Sequence, residues 1–415
     1  MNGTVHIIGA GLAGLSAAVR LTARGRKVIV HEATAFAGGR CRSYHDAAVG
    51  MTIDNGNHLL LSGNHAALGY LRSIAAAERL VGPPTAEFSF ADLASGERWT
   101  LRFNDGPIPF WVFDPARRVP GTRVLDYLPL ARLLWPPAGK PVGEVIACAG
   151  TLYQRLVEPL ILAALNIDAP DGSARLAGAI IRETLAVGGR ACRPLIAREG
   201  LGTTLIEPAL AHLQQNGAMV RMEHQLHALR FAAERIDALD FGAESILLGS
   251  GDAVILAVPP YIAASLVHGL SVPTEFRAIV NAHFRIEPPA AQPPILGVLN
   301  GMVQWLFAFP GRLAVTISAG DRLIDTPREE LARTIWGEVS RLTSLPAELP
   351  PWQIVRERRA TFAATPAQDA TRPGATTKWR NLALAGDWTD TGLPATIEGA
   401  IRSGNRAADI VGNQS

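Results

Sequence analysis

A chain of 415 residues is long enough for two or three domains, and its 48% hydrophobic and 18% charged residues exclude a largely disordered protein. Only three of the 39 basic residues are lysines and no basic stripe follows the chain, so nucleic-acid binding is not expected. The three scattered cysteines lack metal-ligand spacing and fit a reducing compartment. With no apolar run of about 18 residues and no room for a signal peptide, we expect a cytoplasmic protein without membrane-spanning helices.

The N-terminal segment has the pattern of a dinucleotide-binding unit. A short apolar strand at 5–8 runs into Gly9-x-Gly11-x-x-Gly14, and an Ala- and Leu-rich helix follows at about 13–24. The three glycines allow a tight turn, the approach of a pyrophosphate and close helix packing. A second strand at 27–31 ends at Glu32, whose carboxylate can accept hydrogen bonds from ribose hydroxyls. These features predict nucleotide binding without distinguishing NAD from FAD.

Two polar segments follow this unit. Gly38-Gly39-Arg40 predicts a second close approach of the backbone, with its arginine facing the pyrophosphate. A strand at 51–54 then ends in the turn Asp54-Asn55-Gly56-Asn57-His58. Such a turn is commonly a loop stabilised by its own Asp and Asn side chains. Its aspartate and histidine are also candidates for a functional site.

From about residue 65 to 195 the pattern changes to helices separated by an aromatic and proline-rich stretch. We predict helices at about 65–80, 142–166 and 172–189. Between them, Phe110-Trp111-Val112-Phe113 and Leu133-Leu134-Trp135 lie near several basic residues. Aromatic side chains beside basic ones are typical of a membrane interface, and equally of the edge of an ordinary core. The sequence therefore predicts an inserted substrate domain and leaves its contact with the inner face of a membrane open.

The remaining segments return to each domain in turn. A helix to about 215, a strand at 217–222 and a buried strand at 252–259 predict that the nucleotide-binding domain resumes. Strands at 295–303 and 315–318 and a helix at about 327–343 predict more of the substrate domain.

The C-terminal segment has a buried strand, then Gly386-Asp387, then a helix that begins near Thr396 and closes at Gly404. Asp387 can hydrogen-bond polyol hydroxyls, and the helix N-terminus can offer N–H groups to an electron-rich ring edge. The predicted fold is α/β (α+β overall). A Rossmann-like nucleotide-binding domain (1–64, 196–274 and 376–415) is interleaved with a substrate domain of mixed sheet and helices (65–195 and 275–375).

This set of motifs resembles the FAD-dependent amine oxidase and phytoene desaturase superfamily over nearly the whole chain. Asp54-Asn55-Gly56-x-His58, Ala164-Leu165-Asn166 and the block from Ala385 to Ala400 narrow the resemblance to its squalene-associated branch. That branch contains the hydroxysqualene dehydroxylases of bacterial hopanoid synthesis. One departure is Asn57, where glutamine is more usual in the branch. The resemblance implies FAD as cofactor and a C30 isoprenoid alcohol that is reduced to squalene.

The resemblance also implies roles for particular residues. Hydride from reduced flavin would replace the hydroxyl group, and the protein would protonate the leaving oxygen and hold the chain in an apolar tunnel. The acid candidates are His58 first, then Asp54 and Glu398. The expected substrate contacts are Trp305, Phe307 and Trp388, and no metal is expected. The predicted FAD contacts are Gly9, Gly11, Leu12, Ala13, Gly14, Glu32, Ala33, Gly38, Gly39, Arg40, Gly56, Asn57, Leu226, Gly386, Asp387, Ala395, Thr396 and Ile397.

Three other functions stay open at this point. An isoprenoid desaturase would share the motifs and run the redox chemistry in the opposite direction. A flavin amine oxidase is less favoured, because residues 281–377 contain no lysine and no cysteine follows Cys192. A non-enzymatic escort protein would bind lipid without flavin chemistry. The electron donor, NADPH or a redox protein, also stays open. NADPH would need a second nucleotide site, and the sequence shows no second glycine triplet of this type.

Overall fold

Five sheets organise residues 3–412, the part of the chain that the computed structural model describes. The strands in chain order are β1 (Thr4–Ile8), β2 (Lys27–His31), β3 (Ser43–Asp46), β4 (Met51–Asp54), β5 (Leu60–Leu61), β6 (Leu80–Val81), β7 (Glu87–Asp92), β8 (Arg98–Arg102), β9 (Pro194–Ala197), β10 (Met219–Arg221), β11 (Ala228–Ala232), β12 (Arg235–Asp240), β13 (Ser245–Leu247), β14 (Ala253–Leu256), β15 (Phe276–Arg285), β16 (Ile295–Leu299), β17 (Trp305–Phe309), β18 (Arg312–Ile317), β19 (Trp352–Phe362) and β20 (Leu382–Leu384). The α-helices are α1 (Leu12–Thr22), α2 (His65–Ser73), α3 (Val142–Val145), α4 (Glu158–Leu165), α5 (Ala174–Glu183), α6 (Gly189–Cys192), α7 (Glu207–Gln215), α8 (Pro260–Leu266), α9 (Arg328–Thr343), α10 (Pro366–Ala370) and α11 (Ile397–Gly412).

A five-stranded parallel sheet forms the centre of the predicted nucleotide-binding domain. Its order is β10-β2-β1-β14-β20, so three separated parts of the chain meet in one sheet, as the sequence predicts. The antiparallel sheet β11-β12-β13 accompanies it. The inner strands β1 and β14 and the edge strand β20 are short, almost wholly buried and mainly apolar, the pattern expected when both faces of a sheet are covered.

Helices α1 and α11 pack closely because small residues line their contact. A Cβ placed on Gly404 would lie 2.1 Å from the carbonyl oxygen of Ala13, so only glycine fits there. The predicted packing of this glycine against the first turn is therefore present. The predicted end of the helix at Gly404 is wrong, since α11 continues to Gly412. Gly404 marks a helix contact, not a helix end.

A seven-stranded mixed sheet carries the predicted substrate domain, in the order β19-β15-β18-β17-β16-β7-β8. The expected strands at 295–303 and 315–318 correspond to β16 and β18, but the segment predicted between them is itself strand β17. The long strands β15 and β19 were not predicted. The sequence of β19 does not alternate between apolar and polar residues, the pattern that predicts a strand. Its charged residues occur in succession, and several of them are partly buried.

The predicted helices of the middle segment are shorter than expected. The helix expected at 142–166 is interrupted after α3, and the chain resumes as a π-helical turn at Tyr153–Val157 that leads into α4. Gly150 lies in this interruption with φ +87°, a left-handed conformation that no α-helix contains. Helix α2 packs in the same buried cluster as α1 and β1. The domain boundary at residue 64 remains a prediction.

Candidate active site

Backbone conformation and backbone contacts determine the shape of the turn between β1 and α1. Gly9 has φ +106°, and its N–H donates to the carbonyl oxygen of His31 at 2.7 Å. A Cβ on Gly14 would lie 1.9 Å from the oxygen of Gly9, whereas one on Gly11 would meet no atom within 4 Å. The turn therefore crowds two of its glycines and leaves the third facing open space. That arrangement fits a bound pyrophosphate, for which the predicted unit provides room at Gly11.

Two neighbouring groups complete this end of the site. The carboxylate of Glu32 accepts the backbone N–H of Ala10 at 2.8 Å, which fixes it beside the turn. The N–H of Gly38 donates to the oxygen of Ala10 at 2.8 Å. The two glycine segments are thus adjacent, and a carboxylate lies beside them, as an adenosine diphosphate group requires.

The remaining predicted FAD contacts surround these turns or lie on nearby segments. Leu12 and Ala13 are buried in the first turn of α1, Ala33 is exposed after β2, and Leu226 is buried just before β11. Ala395, Thr396 and Ile397 lie at the start of α11, where the hydroxyl of Thr396 accepts the N–H of Gly399 at 3.0 Å.

Arg40 and Asp387 bind each other. The Arg40 Nη2 atom lies 2.7 Å from the Asp387 Oδ1 atom, and its Nη1 atom donates to the carbonyl oxygen of Ala360 at 2.6 Å. The arginine was expected to face a pyrophosphate and the aspartate to bind hydroxyl groups. In the structure they form an ion pair that connects the Gly38-Gly39-Arg40 segment to the turn after β20.

Arg372, which the sequence did not single out, holds that same turn from behind. Its buried guanidinium donates to the carbonyl oxygens of Asp387, Trp388 and Thr389, three successive residues of the turn. It also pairs with the buried carboxylate of Asp369 at 3.1 Å. The shape of the turn after β20 therefore depends on an arginine that precedes it by fifteen residues.

Asp54 lies in a buried ionic cluster below its turn. One oxygen accepts the hydroxyl of Ser43 at 2.5 Å and the N–H of Leu201 at 2.8 Å, and the other lies 3.7 Å from the Arg312 guanidinium. Arg312 in turn lies 3.3 Å from the Nδ1 atom of His283. These partners hold a carboxylate in place and argue against the predicted role of Asp54 as a proton donor.

Burial shapes the charge of this cluster. It lowers the pKa of His283 to about 3, and the positive charge of Arg312 contributes to the same direction. Burial also lowers the pKa of Arg312, an effect that the charge of Asp54 opposes. At neutral pH the cluster therefore consists of a neutral histidine beside one ion pair.

The turn above the cluster has polar atoms without partners. The side-chain amide of Asn57 donates to Val315 and Thr316, but its Oδ1 atom is buried and accepts no hydrogen bond within residues 3–412. Buried polar atoms normally have partners, so an orphaned acceptor fits a site that a bound group completes.

His58 is half-buried, and its ring has no hydrogen bond to any other residue that the structure describes. Burial lowers the pKa of His58 to about 4, the nearby Asp54 charge opposing this effect and the Arg40 charge adding to it. At neutral pH the ring is therefore neutral, with one N–H group to donate. It can form a hydrogen bond to a substrate oxygen.

Glu398 has a different environment from the one predicted. Its carboxylate accepts the N–H groups of Ala66 and Ala67 at 3.1 and 2.8 Å and pairs with Arg402 at 2.8 Å. It therefore caps the N-terminus of α2 from another helix. With both oxygens engaged, this residue is poorly suited to donate a proton.

The three predicted substrate contacts have different surroundings, although Trp305 packs against both the buried cluster that contains Trp388 and the one that contains Phe307. Trp388 is buried in the core and donates its indole N–H to Val258 at 2.9 Å, which argues against substrate contact. Phe307 packs among buried apolar side chains that include Phe309 and Ile196. Trp305 is the partly exposed member of the set, and it lies 6.0 Å from the ring of Phe90.

Trp305 also lines a cavity of about 720 Å³ between the mixed sheet and the segment at 151–162. The predicted tunnel would have apolar walls. This cavity instead has charged residues in its lining, namely Asp92, Glu97, Arg155 and Glu158. Its lining therefore does not match a hydrocarbon channel.

Three residues of the site gave no signal in the sequence. Arg312 and His283 occupy two neighbouring strands of the mixed sheet, and Arg372 lies in the loop after α10. None belongs to a glycine motif or a recognisable spacing. Their partners are distant in sequence, so only the fold brings them together.

Comparison with known proteins places the chain among flavin enzymes. The profile of the flavin containing amine oxidoreductase family matches residues 12–412. A hydroxysqualene dehydroxylase of Rhodopseudomonas palustris is 62% identical over 412 residues, covering 99% of each chain. One of Sinorhizobium fredii is 60% identical over 406 residues, covering 98% of this chain and 97% of its own. The solved structure of cyclohexylamine oxidase from Brevibacterium oxydans is similar in fold, with a TM-score of 0.73, 16% identity and 99% coverage of both chains.

Proposed function

The chain belongs to the flavin containing amine oxidoreductase family, and we propose that it reduces hydroxysqualene to squalene with FAD as its cofactor. The observation that carries this proposal is the identity of 62% over 99% of the chain to a protein named hydroxysqualene dehydroxylase. Two further relatives with the same name are 60% and 46% identical over nearly the whole chain. The predicted family and the predicted FAD cofactor are confirmed by these comparisons.

In the proposed reaction the C–O bond of the substrate breaks and a C–H bond forms at the same carbon. The leaving hydroxyl takes up a proton that comes from solvent and departs as water. FAD, when bound in its reduced form, supplies the hydride. The open face of Gly11, the carboxylate of Glu32, Gly38-Gly39 and the start of α11 would hold the cofactor.

We assign contact with the leaving oxygen to His58. Of the three acid candidates, Asp54 and Glu398 have both carboxylate oxygens engaged with the protein, while the His58 ring has no protein partner within the described chain. Its neutral ring would donate an N–H hydrogen bond to the hydroxyl group as the C–O bond weakens. Replacing His58 with alanine should reduce kcat about 100-fold or more.

The His58 assignment has a matched control. Glu398→Gln changes another candidate and leaves the turn at 54–58 untouched. We expect this control to keep turnover within about twofold, since its effect falls on the N-terminus of α2. Full turnover by His58→Ala would remove the residue from the reaction.

The apolar substrate bears on where the enzyme acts. A C30 isoprenoid partitions into a bilayer, so we propose that the protein takes its substrate from a membrane surface. Among the helices between residues 3 and 412, none is long and apolar enough to cross a membrane. We also propose that the electron donor, NADPH or a redox protein, docks transiently.

The test is the product formed by purified protein reconstituted with FAD. Given hydroxysqualene and a chemical reductant in detergent micelles, the enzyme should form squalene, identified by mass. Given squalene and an oxidant, it should form no new product. A dehydrogenated product would instead establish a desaturase. Protein that never acquires flavin absorbance would favour a lipid-binding escort, and oxidation of a primary amine would favour an amine oxidase.

A further inference from the structure

One segment of the substrate domain leaves large apolar side chains uncovered. Twelve large hydrophobic residues are exposed between residues 3 and 412, and half of them lie within 108–135. These six are between 58% and 80% exposed: Ile108, Phe110, Phe113, Leu125, Leu128 and Trp135. A concentration of this kind is unusual on a monomeric protein and marks an interaction site.

The helix from Val124 to Leu134 shows how the exposed set arises. It is a 3₁₀ helix, in which side chains three residues apart lie above one another. The edge that packs on the hydrophobic core consists of Val124, Tyr127, Leu130 and Leu133. The next edge carries Leu125 and Leu128, which are 72% and 65% exposed, followed by exposed Ala131. The helix is therefore apolar on two edges, and the described chain covers only one.

A shorter 3₁₀ helix, Phe110–Phe113, repeats this arrangement. Its two phenylalanines are three positions apart and are exposed, whereas Trp111 and Val112 between them are buried. The Trp111 ring meets the ring of Tyr127 edge-on at 5.3 Å, which holds the two 3₁₀ helices side by side. The outward phenylalanines and leucines thus belong to two adjacent, packed elements.

The longer 3₁₀ helix is also fixed from below. A Cβ on Gly178 of α5 would lie 2.1 Å from the carbonyl oxygen of Leu133, so the backbones are in close contact. Arg182 of the same helix donates to the carbonyl oxygen of Leu134 at 2.5 Å. The packing of one edge of the longer 3₁₀ helix on α5 therefore holds its exposed edge in a defined position.

The charges around this surface favour an anionic partner. Arg117, Arg118, Arg123 and Arg132 have no ion pair with any residue in 3–412. The two intervening acids are engaged with the backbone: Asp114 accepts the N–H of Ala116, and Asp126 accepts the N–H of Arg123. The segment consequently presents unpaired guanidinium groups beside its apolar side chains.

We propose that residues 108–135 form a membrane-docking face whose partner is a bilayer surface that contains anionic phospholipids. The exposed aromatic and leucine side chains would enter the boundary between headgroups and acyl chains, and the arginines would contact lipid phosphates. This inference rests on the proposed function, since a C30 isoprenoid substrate is what brings the enzyme to a bilayer. It names the surface that makes the contact.

The test is flotation of FAD-loaded protein with vesicles of phosphatidylcholine, alone or with phosphatidylglycerol at one third of the lipid. The wild type should float with the anionic vesicles. Leu125→Ser/Leu128→Ser should lower the partition coefficient at least about tenfold. Leu247→Ser is the matched control, because Leu247 is also 72% exposed but lies on β13. This control should bind as the wild type does.

A second variant separates charge from apolar contact. Arg123→Gln/Arg132→Gln should lose about tenfold or more on anionic vesicles and little on pure phosphatidylcholine. Retained flavin absorbance and melting temperature would show that each variant is folded. The proposal is overturned if the wild type binds neither vesicle, or if Leu247→Ser loses as much binding as the Leu125/Leu128 variant. It is also overturned if the leucine variant changes only self-association measured by light scattering.

Turnover in detergent micelles distinguishes this proposal from the proposed function. Squalene formation by a protein that does not bind vesicles would reject the docking face alone. Vesicle binding without any squalene formation would reject the proposed function and leave the docking face as a property of an enzyme with another substrate.

Discussion

The β1–α1 turn and the turn from Asp54 to His58 both carry predicted site residues, but different forces determine their shapes. The first is determined by atomic contact: backbone lies against backbone at Gly14, where a Cβ would be 1.9 Å from an oxygen. The second is determined by charge: Asp54 is held by Ser43, Leu201 and Arg312 from three other segments. A turn of the first kind is visible as a spacing in the sequence, and one of the second kind becomes visible only in the fold.

The largest effect should come from breaking the contact at the first turn. Gly14→Val would force a side chain into the oxygen of Gly9, and the loss should be about 4 kcal/mol or more of the free energy of unfolding. Gly11→Ala meets no atom within 4 Å and has φ −74°, so the apoprotein should remain as stable as the wild type. Thermal and urea unfolding of the two apoproteins would measure this difference.

The same pair separates folding from cofactor binding. Gly11→Ala should weaken FAD affinity at least about tenfold, since its methyl group occupies the space left for the pyrophosphate. Titration of the apoprotein with FAD, followed by flavin fluorescence, gives the dissociation constant. A Gly11→Ala protein with normal FAD affinity would contradict the placement of the pyrophosphate at that glycine.

The next effect tests the charge-determined turn. Arg312→Met leaves the Asp54 carboxylate buried without its cation, and this should cost about 3 kcal/mol of the free energy of unfolding. Adding Asp54→Asn removes the uncompensated charge, so the double variant should be more stable than Arg312→Met alone. Urea unfolding of the wild type, both single variants and the double variant gives the coupling energy. Additive losses would show that no ion pair stabilises this turn.

These two turns explain how far the sequence could predict the molecule. Glycine spacing and buried apolar runs are local, and they predict the nucleotide-binding fold; the fold class, the family and the FAD cofactor are confirmed. The role of Asp54 depends on Arg312, 258 positions further along the chain. The bonds of Trp388 and Glu398 likewise depend on distant backbone groups. A motif can identify such residues, but it does not show that their polar atoms already form hydrogen bonds or ion pairs within the fold.

A smaller effect should appear when the protein is acidified. A buried neutral histidine lies beside each of the two turns. Burial lowers the pKa of His31 and of His283 to about 3; His6, His224 and Arg221 add to the effect at His31, and Arg312 adds to it at His283. The unfolded chain binds a proton near the ordinary pKa of about 6.5, whereas the folded chain does so only near 3. Stability is therefore complete above pH 6.5 and falls as the pH drops towards 3. At pH 5 each histidine should account for a loss of about 2 kcal/mol.

Urea unfolding between pH 7.5 and 5 measures this loss. His31→Asn and His283→Asn should each reduce the dependence of stability on pH by about one proton. In Arg312→Met, one cause of the lowered His283 pKa is removed, so that variant should lose less stability on acidification than the wild type. An unchanged slope in both histidine variants would assign the acid sensitivity to other groups.

The smallest effect distinguishes a structural carboxylate from a catalytic one. Glu398→Gln keeps an acceptor near the amides of Ala66 and Ala67 but loses the negative charge opposite the N-terminus of α2 and the ion pair with Arg402. The free energy of unfolding should fall by about 1 kcal/mol, with kcat preserved. Glu183→Gln removes the other partner of Arg402 without touching α2, so it should cost less. If Glu398→Gln instead abolished turnover at unchanged stability, a predicted acid would be restored. The hydrogen bonds from α2 would then serve to position the Glu398 carboxylate for the reaction. Glu398 would join His58 as a residue that takes part in catalysis.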